Sequence, residues 1–206
     1  MKYSKITGVA VVLIFIAVAL WFGMNRGYDI KNYPSSGEAV IVFGDSLARG
    51  VGSTEGNDFV SLLSERINTP IENFGYAGDT TAMALTRIES VLSKNPKVVM
   101  VLLGGNDFLR RVPKTETLKN LEQIIITIQD AGAVVILLGV RGGLITDGYE
   151  SDLQSLAEKT GSAYVPNVLK GLLGNTNYMS DSVHPNNSGY AIIADRIYPI
   201  LQKVLK

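Results

Sequence analysis

"VIVFGDSLARGVG", residues 40–52, sets an apolar run against Gly-Asp-Ser, with two further glycines close behind. A short run that is apolar at every position reads as a strand covered on both faces, as in a parallel sheet between two layers of helices. Such a strand has no face left for a polar group, so polar residues belong at its end. Ser46 stands there, either as a nucleophile or as a turn residue following Gly44.

Outward from this point the pattern repeats. Strand candidates lie at 39–43, 71–74, 98–103, 134–138 and 163–165. "VVMVLL" (98–103) and "VVILL" (134–138) are again apolar throughout. Between the runs, apolar residues recur at helical spacing: Leu85, Ile88 and Leu92; Leu118, Leu121, Ile125 and Ile128; and Tyr190, Ile193, Ala194, Ile197 and Leu201. The order βαβα predicts one α/β domain with a parallel sheet of about five strands.

In an open parallel sheet the active crevice lies beyond the carboxyl ends of the strands. "GDS" (44–46) follows the first run, "GYAGDT" (75–80) the second and "GGND" (104–107) the third, while "DSVHP" (181–185) precedes the last helix. The architecture brings these four polar clusters to one edge. His184 is the only histidine in the chain. With Asp181 three residues before it, it can form a dyad in which the carboxylate bonds one ring nitrogen and leaves the other free as a base. Opposite Ser46, the dyad completes an acyl-transfer set: nucleophile Ser46, general base His184, orienting carboxylate Asp181. The tetrahedral oxyanion of that chemistry needs hydrogen-bond donors. Candidates are the Ser46 N–H, the Gly78 N–H, which can approach closely for want of a side chain, and the Asn106 amide. Asp45, Asp79 and Asp107 are expected to hold turns or cap helices. Residues 108–111, "FLRR", read as a pocket lining or a loop surface, and "GVRGG" (139–143) as a loop that either borders substrate or is only a flexible connection.

These blocks resemble the GDSL, or SGNH, hydrolases. "GDSLARG" is similar to the family's first block, "NFGYAGDTT" to the second, "LLGGNDFLR" to the third and "DSVHPNNSGY" to the last, in order, over about residues 38–205. "AGDT" with "GGNDFLR" is most similar to the bacterial thioesterase I and lysophospholipase branch. The resemblance implies a flavodoxin-like three-layer α/β/α sandwich, no cofactor and no metal. It also implies hydrolysis of acyl esters or thioesters such as lysolipids. A carbohydrate O-acetyl esterase acting on cell-wall or surface glycan would use the same residues. A tethered binding module without activity would share the fold.

Rival chemistries fit less well. Two-metal phosphoesterase sites generally recruit several histidines, and this chain has one. Gly-x-Ser-x-Gly is broken by Ala48. "GVGSTEG" begins too far from the strand, and with the wrong spacing, for a dinucleotide fingerprint. Lys+Arg and Asp+Glu balance at 19 each, so no basic field exists for nucleic acid. The absence of cysteine excludes disulfides and thiolate chemistry.

The amino-terminal stretch is of another kind. "ITGVAVVLIFIAVALWFG", residues 6–23, has no charge and follows Lys2 and Lys5, which predicts a membrane-spanning helix with the remainder exported. Residues 1–26 are therefore expected to be an anchor or, if cut near "AVA" (17–19), a signal segment. Residues 27–37 read as a linker, and 38–206 as the hydrolase domain. Without residues 1–26, 16 basic groups face 19 acidic ones. The expected location is a membrane-anchored, extracytoplasmic domain, secreted if the segment is cleaved.

Overall fold

The computed structural model describes residues 29–140 and 148–206. Five parallel strands, β1 (Ala39–Gly44), β2 (Ile71–Gly75), β3 (Pro96–Leu102), β4 (Val134–Leu138) and β5 (Ala163–Val165), form one sheet in the order β2-β1-β3-β4-β5. This is the flavodoxin-like order, in which the crevice opens where the connections part on either side of the first strand. All five expected strands are present, with shifts of one or two residues at their ends.

Alternate residues of each strand feed two separate cores. Val40, Val42, Met100, Leu102, Ile136 and Leu138 face one side. There they meet Phe59, Val60 and Leu63 of α2 (Phe59–Ile67) and Ile193, Ile197 and Leu201 of α8 (Asn187–Leu205). On the other face Ile41, Phe43, Val99, Val101 and Leu137 meet Leu121, Ile124, Ile125 and Ile128 of α6 (Lys114–Asp130) and Leu153 and Leu156 of α7 (Tyr149–Thr160). The remaining helices are short: α1 (Ser46–Arg49), α3 (Thr81–Leu85), α4 (Glu89–Leu92) and α5 (Gly105–Leu109).

The structure departs from the sequence reading in two places. The helical period at Leu85, Ile88 and Leu92 is not one helix but two, because α3 stops at Leu85 and α4 starts at Glu89. Phe108 and Leu109, read as pocket lining or loop surface, stand in a helical turn over residues 105–109. Gly44 lies outside the positive-φ positions. A Cβ there would lie 2.5 Å from the Leu102 carbonyl oxygen and 2.7 Å from the Ala48 Cβ, so glycine is required by close approach. The expected span at 6–23 lies outside the described residues, as do residues 141–143 of "GVRGG". Among the described residues no helix is long and apolar enough to cross a membrane.

The chain arrives at the pole opposite the strands' carboxyl ends. Lys31 N–H donates to the Gly161 carbonyl at 2.8 Å, ahead of β5, and Glu38 N–H to the Asn95 carbonyl at 2.8 Å, ahead of β3. The Asn32 amide donates to the Gln129 and Ala133 carbonyls at 2.6 and 3.0 Å, ahead of β4, and Ser35 Oγ donates to the Gly132 carbonyl at 3.0 Å. Residues 29–37, expected to be a linker, are thus bonded across the amino ends of three strands.

Candidate active site

Ser46 opens α1 directly after β1, and Asp45 caps that helix by accepting from Leu47 N–H at 2.9 Å. Asn106 stands in α5, directly after β3. The two residues therefore flank the point where the sheet's connections diverge. His184 comes from the turn before α8, whose cap, the Asn186 side chain, accepts from Gly189 N–H.

The turn is built around Asp181. Its Oδ1 accepts from the Val183 and His184 N–H groups, both at 2.8 Å, leaving Oδ2 to face His184 Nδ1 at 2.7 Å. His184 Nε2 lies 3.0 Å from Ser46 Oγ. Bonding to His184 holds the Asp181 carboxyl down at about 2, and the two backbone N–H donors add to the effect. Asp181 is therefore a carboxylate throughout the neutral range.

Gly78 has φ +86°, a backbone conformation that a side chain strains, although a Cβ would touch nothing closer than Arg110 Nη2 at 3.6 Å. Arg110 Nη2 donates to the Gly78 carbonyl at 2.8 Å. The Asn106 amide nitrogen donates to the Asp79 carbonyl at 3.0 Å and engages Asp45 Oδ2 only loosely, at 3.4 Å. Ser46, Gly78, Asn106 and His184 all line one cavity of about 590 Å³. Its walls are otherwise largely apolar, with Leu47, Val51, Val140, Leu169 and Leu173 prominent and Phe108 and Leu109 at the exposed side. All five sequence-predicted site residues thus meet in one place. Among the described residues no group of His, Asp and Glu side chains is arranged to hold a metal ion.

Three strand-end aspartates support this arrangement. Asp107 reaches across to α3, accepting from Thr81 N–H at 2.9 Å and from Thr81 Oγ1 at 2.5 Å. Asp79 accepts from Arg87 Nε at 2.6 Å. Arg87 escaped the sequence reading, yet it joins the first two blocks. Its other nitrogens donate to the Phe74 and Gly44 carbonyls at 3.1 and 2.9 Å, and its guanidinium lies between the Phe43 and Tyr76 rings, 4.5 and 4.3 Å from their centroids. The available signal was a single arginine inside an apolar helical period, which fits a partner at the sheet's polar edge.

Asp45 is 2% exposed. Burial raises its carboxyl from 3.8 to about 7, and neighbouring Asp79 and Asp107 push the same way against the bond from Leu47 and the charge on His184. The environment thus drives two carboxyls of one site in opposite directions.

A serine bonded to an imidazole that is bonded to a carboxylate, on a doubly wound sheet, is the arrangement of a serine hydrolase. Comparison with known proteins agrees: the chain belongs to the GDSL-like Lipase/Acylhydrolase family, whose model matches residues 42–192. It is an ester-bond hydrolase of that family. It is 27% identical over 183 residues to Esterase TesA of Pseudomonas aeruginosa, spanning 83% of this chain and 91% of the relative. It is 29% identical over 180 residues to Arylesterase of Vibrio mimicus (82% and 90%), and 26% identical over 180 residues to Thioesterase 1/protease 1/lysophospholipase L1 of Escherichia coli K12 (83% and 86%). The crystal structure of TesA superposes with a TM-score of 0.75 at 27% identity, over 82% of this chain and all of that one. The SGNH-hydrolase esterase AlinE4 gives 0.63 at 31% identity, over 84% of this chain and all of that one.

Two predictions follow from the buried charges. Because the Asp45 carboxyl is raised on folding, the folded state holds a proton that the unfolded chain releases near 3.8; stability therefore falls as pH climbs toward about 7 and then levels. In Asp45→Asn, which keeps an acceptor for Leu47 N–H, that part of the slope is absent, as unfolding free energies across this pH range will show. Arg87→Met strands the buried Asp79 carboxylate and is expected to cost about 3–5 kcal/mol by urea unfolding.

Proposed function

We propose that the protein is a serine esterase that cleaves acyl esters through an acyl-enzyme on Ser46. The observation that carries this reading is the bonded series Ser46–His184–Asp181, at 3.0 and 2.7 Å, opening into a largely apolar cavity. His184 Nε2 takes the Ser46 hydroxyl proton as Oγ attacks the ester carbonyl, and a C–O bond forms. Asp181 fixes the ring with Nδ1 as donor and stabilises the imidazolium. The oxyanion receives the Ser46 and Gly78 N–H groups and the loosely held N–H of Asn106. Burial shifts the Asp45 carboxyl, 3.4 Å from the Asn106 amide nitrogen, toward its neutral form, which lessens negative charge near that donor. The intermediate collapses as the bond to the leaving group breaks and His184 returns the proton to the departing alcohol or thiol. Water then repeats the sequence and releases the acid.

The largely apolar walls favour an acyl chain over a sugar within the cavity, with the leaving group, a lysolipid, aryl alcohol or thiol, toward the exposed side. Relatives named as esterase, arylesterase and thioesterase/lysophospholipase support the same range. For location we propose that residues 6–23 anchor the chain in a membrane with the catalytic domain extracytoplasmic, as the uncharged 18-residue run behind Lys2 and Lys5 supports.

Hydrolysis of p-nitrophenyl esters from acetyl to long acyl chains by residues 27–206 tests the reading. Turnover is expected to rise with chain length and to fall by about three orders of magnitude or more in Ser46→Ala. Activity confined to acetyl would favour the carbohydrate O-acetyl esterase, and no activity above the variant would favour a binding module. Asn106→Ala is expected to lower kcat by about 10²–10³-fold with a smaller effect on KM, since its N–H strengthens only as the oxyanion forms.

A further inference from the structure

The catalytic mouth and the point where the chain joins the domain lie at opposite poles. Ser46 and Asn106 follow the carboxyl ends of β1 and β3, whereas residues 31–38 are bonded ahead of β5, β4 and β3. Helix α8 measures the separation. It begins three residues past His184, runs back along the sheet beside α2, where Arg66 pairs with Asp195 at 2.8 Å, and continues to Leu205. At 1.5 Å per residue, its 19 residues span about 28 Å.

The tether is shorter than that. Only residues 24–28 separate the apolar run from Asp29. Fully extended, the six steps from Gly23 to Asp29 reach about 20 Å. For the mouth to rest on the bilayer that holds residues 6–23, Asp29 would have to stand about the length of α8, about 28 Å, above it. That is beyond the tether's reach while residues 29–37 stay docked. Released, those nine residues would lengthen the tether to about 50 Å, enough to turn the domain over. Their hydrogen bonds, and the pairing of Lys31 Nζ with Asp130 at 3.4 Å, therefore set which way the site faces.

We propose that the anchored domain turns its active site away from its own membrane, so that its substrates are esters reaching it through solvent and not lipids resident in the anchoring bilayer. This rests on the anchored-esterase reading above and narrows the substrate class to acyl esters soluble as monomers.

The test uses the full chain in vesicles of phosphatidylcholine with a minor share of phosphatidylglycerol. Two fluorogenic probes are compared: a soluble short-chain ester, and a long-chain acyl ester whose fluorophore is fixed to a phospholipid in the same bilayer. The ratio of the two turnovers is measured for the natural chain and for one carrying a Gly/Ser spacer of about 20 residues, contour about 70 Å, after Gly27. The spacer is expected to raise the ratio at least about tenfold by freeing the mouth to reach the surface, leaving soluble turnover unchanged. A vesicle-bound chain that cleaves the bilayer ester equally well with and without the spacer overturns the orientation alone. A chain that fails to co-sediment with vesicles after an alkaline wash overturns the anchor, and the orientation with it. Loss of turnover on both probes in the natural chain overturns the esterase reading instead.

Discussion

Strands buried on both faces are the constraint from which the rest follows. Ile41, Val42 and Phe43, and Val98 through Leu102, are fully enclosed by the two helix layers, so a polar side chain anywhere along them would be desolvated without a partner. Polar chemistry is thereby pushed to the strand ends, and because the strands are parallel those ends fall on one edge. Gly44 sharpens the effect: with no side chain, β1 closes against the Leu102 carbonyl and Ala48, and Ser46 is delivered straight into the helical turn beside Asn106.

At that edge the same carboxyl chemistry is put to different uses by different surroundings. Asp181, about half exposed and bonded by three donors, is held ionised where a positive imidazole has to be supported. Asp45, sealed beneath Ser46, is driven toward the neutral form, where a fixed charge would oppose the oxyanion. Asp79 keeps Arg87 at 2.6 Å and Asp107 caps α3 from another element. Sequence sets Asp45 and Asp79 behind a glycine, Asp107 behind Asn106 and Asp181 behind Ser180, small or polar neighbours in every case; burial and partners, not residue type, divide their roles.

That division also explains what could be read in advance. Strands β1, β3 and β4 were legible because two-faced burial forces unbroken apolar runs, whereas β2, at the sheet edge, carries Glu72 and Asn73 within it; the meeting of Ser46, Gly78, Asn106, Asp181 and His184 was legible because parallel topology dictates which loops converge. Helices α2 and α7 were not singled out, since each contributes only a short row of inward residues, Phe59, Val60 and Leu63 in one, Leu153, Leu156 and Ala157 in the other. Contacts that depend on side chains meeting across the fold were invisible: Asp107 with Thr81, 26 residues apart, and Arg87 with the Gly44 carbonyl, 43 apart. No local periodicity encodes such pairs. The close approach at Gly44 was likewise not legible, because glycine serves tight packing and torsional freedom alike and sequence does not distinguish them.

Parallel topology fixes polarity as well as convergence. The first strand must begin at the pole opposite the crevice, so a chain joining the domain at its amino end joins it there, and docking 29–37 across the starts of β3, β4 and β5 takes up slack that would otherwise let the domain tumble. The carboxyl end offers no alternative, since α8 leaves the site at Asn187 and runs back toward the same pole before ending at Leu205. Either terminus, used as a short tether, therefore holds the mouth outward. In such a fold reach is governed less by the catalytic residues than by the few hydrogen bonds, among them those of Asn32, that decide how much of the chain counts as tether.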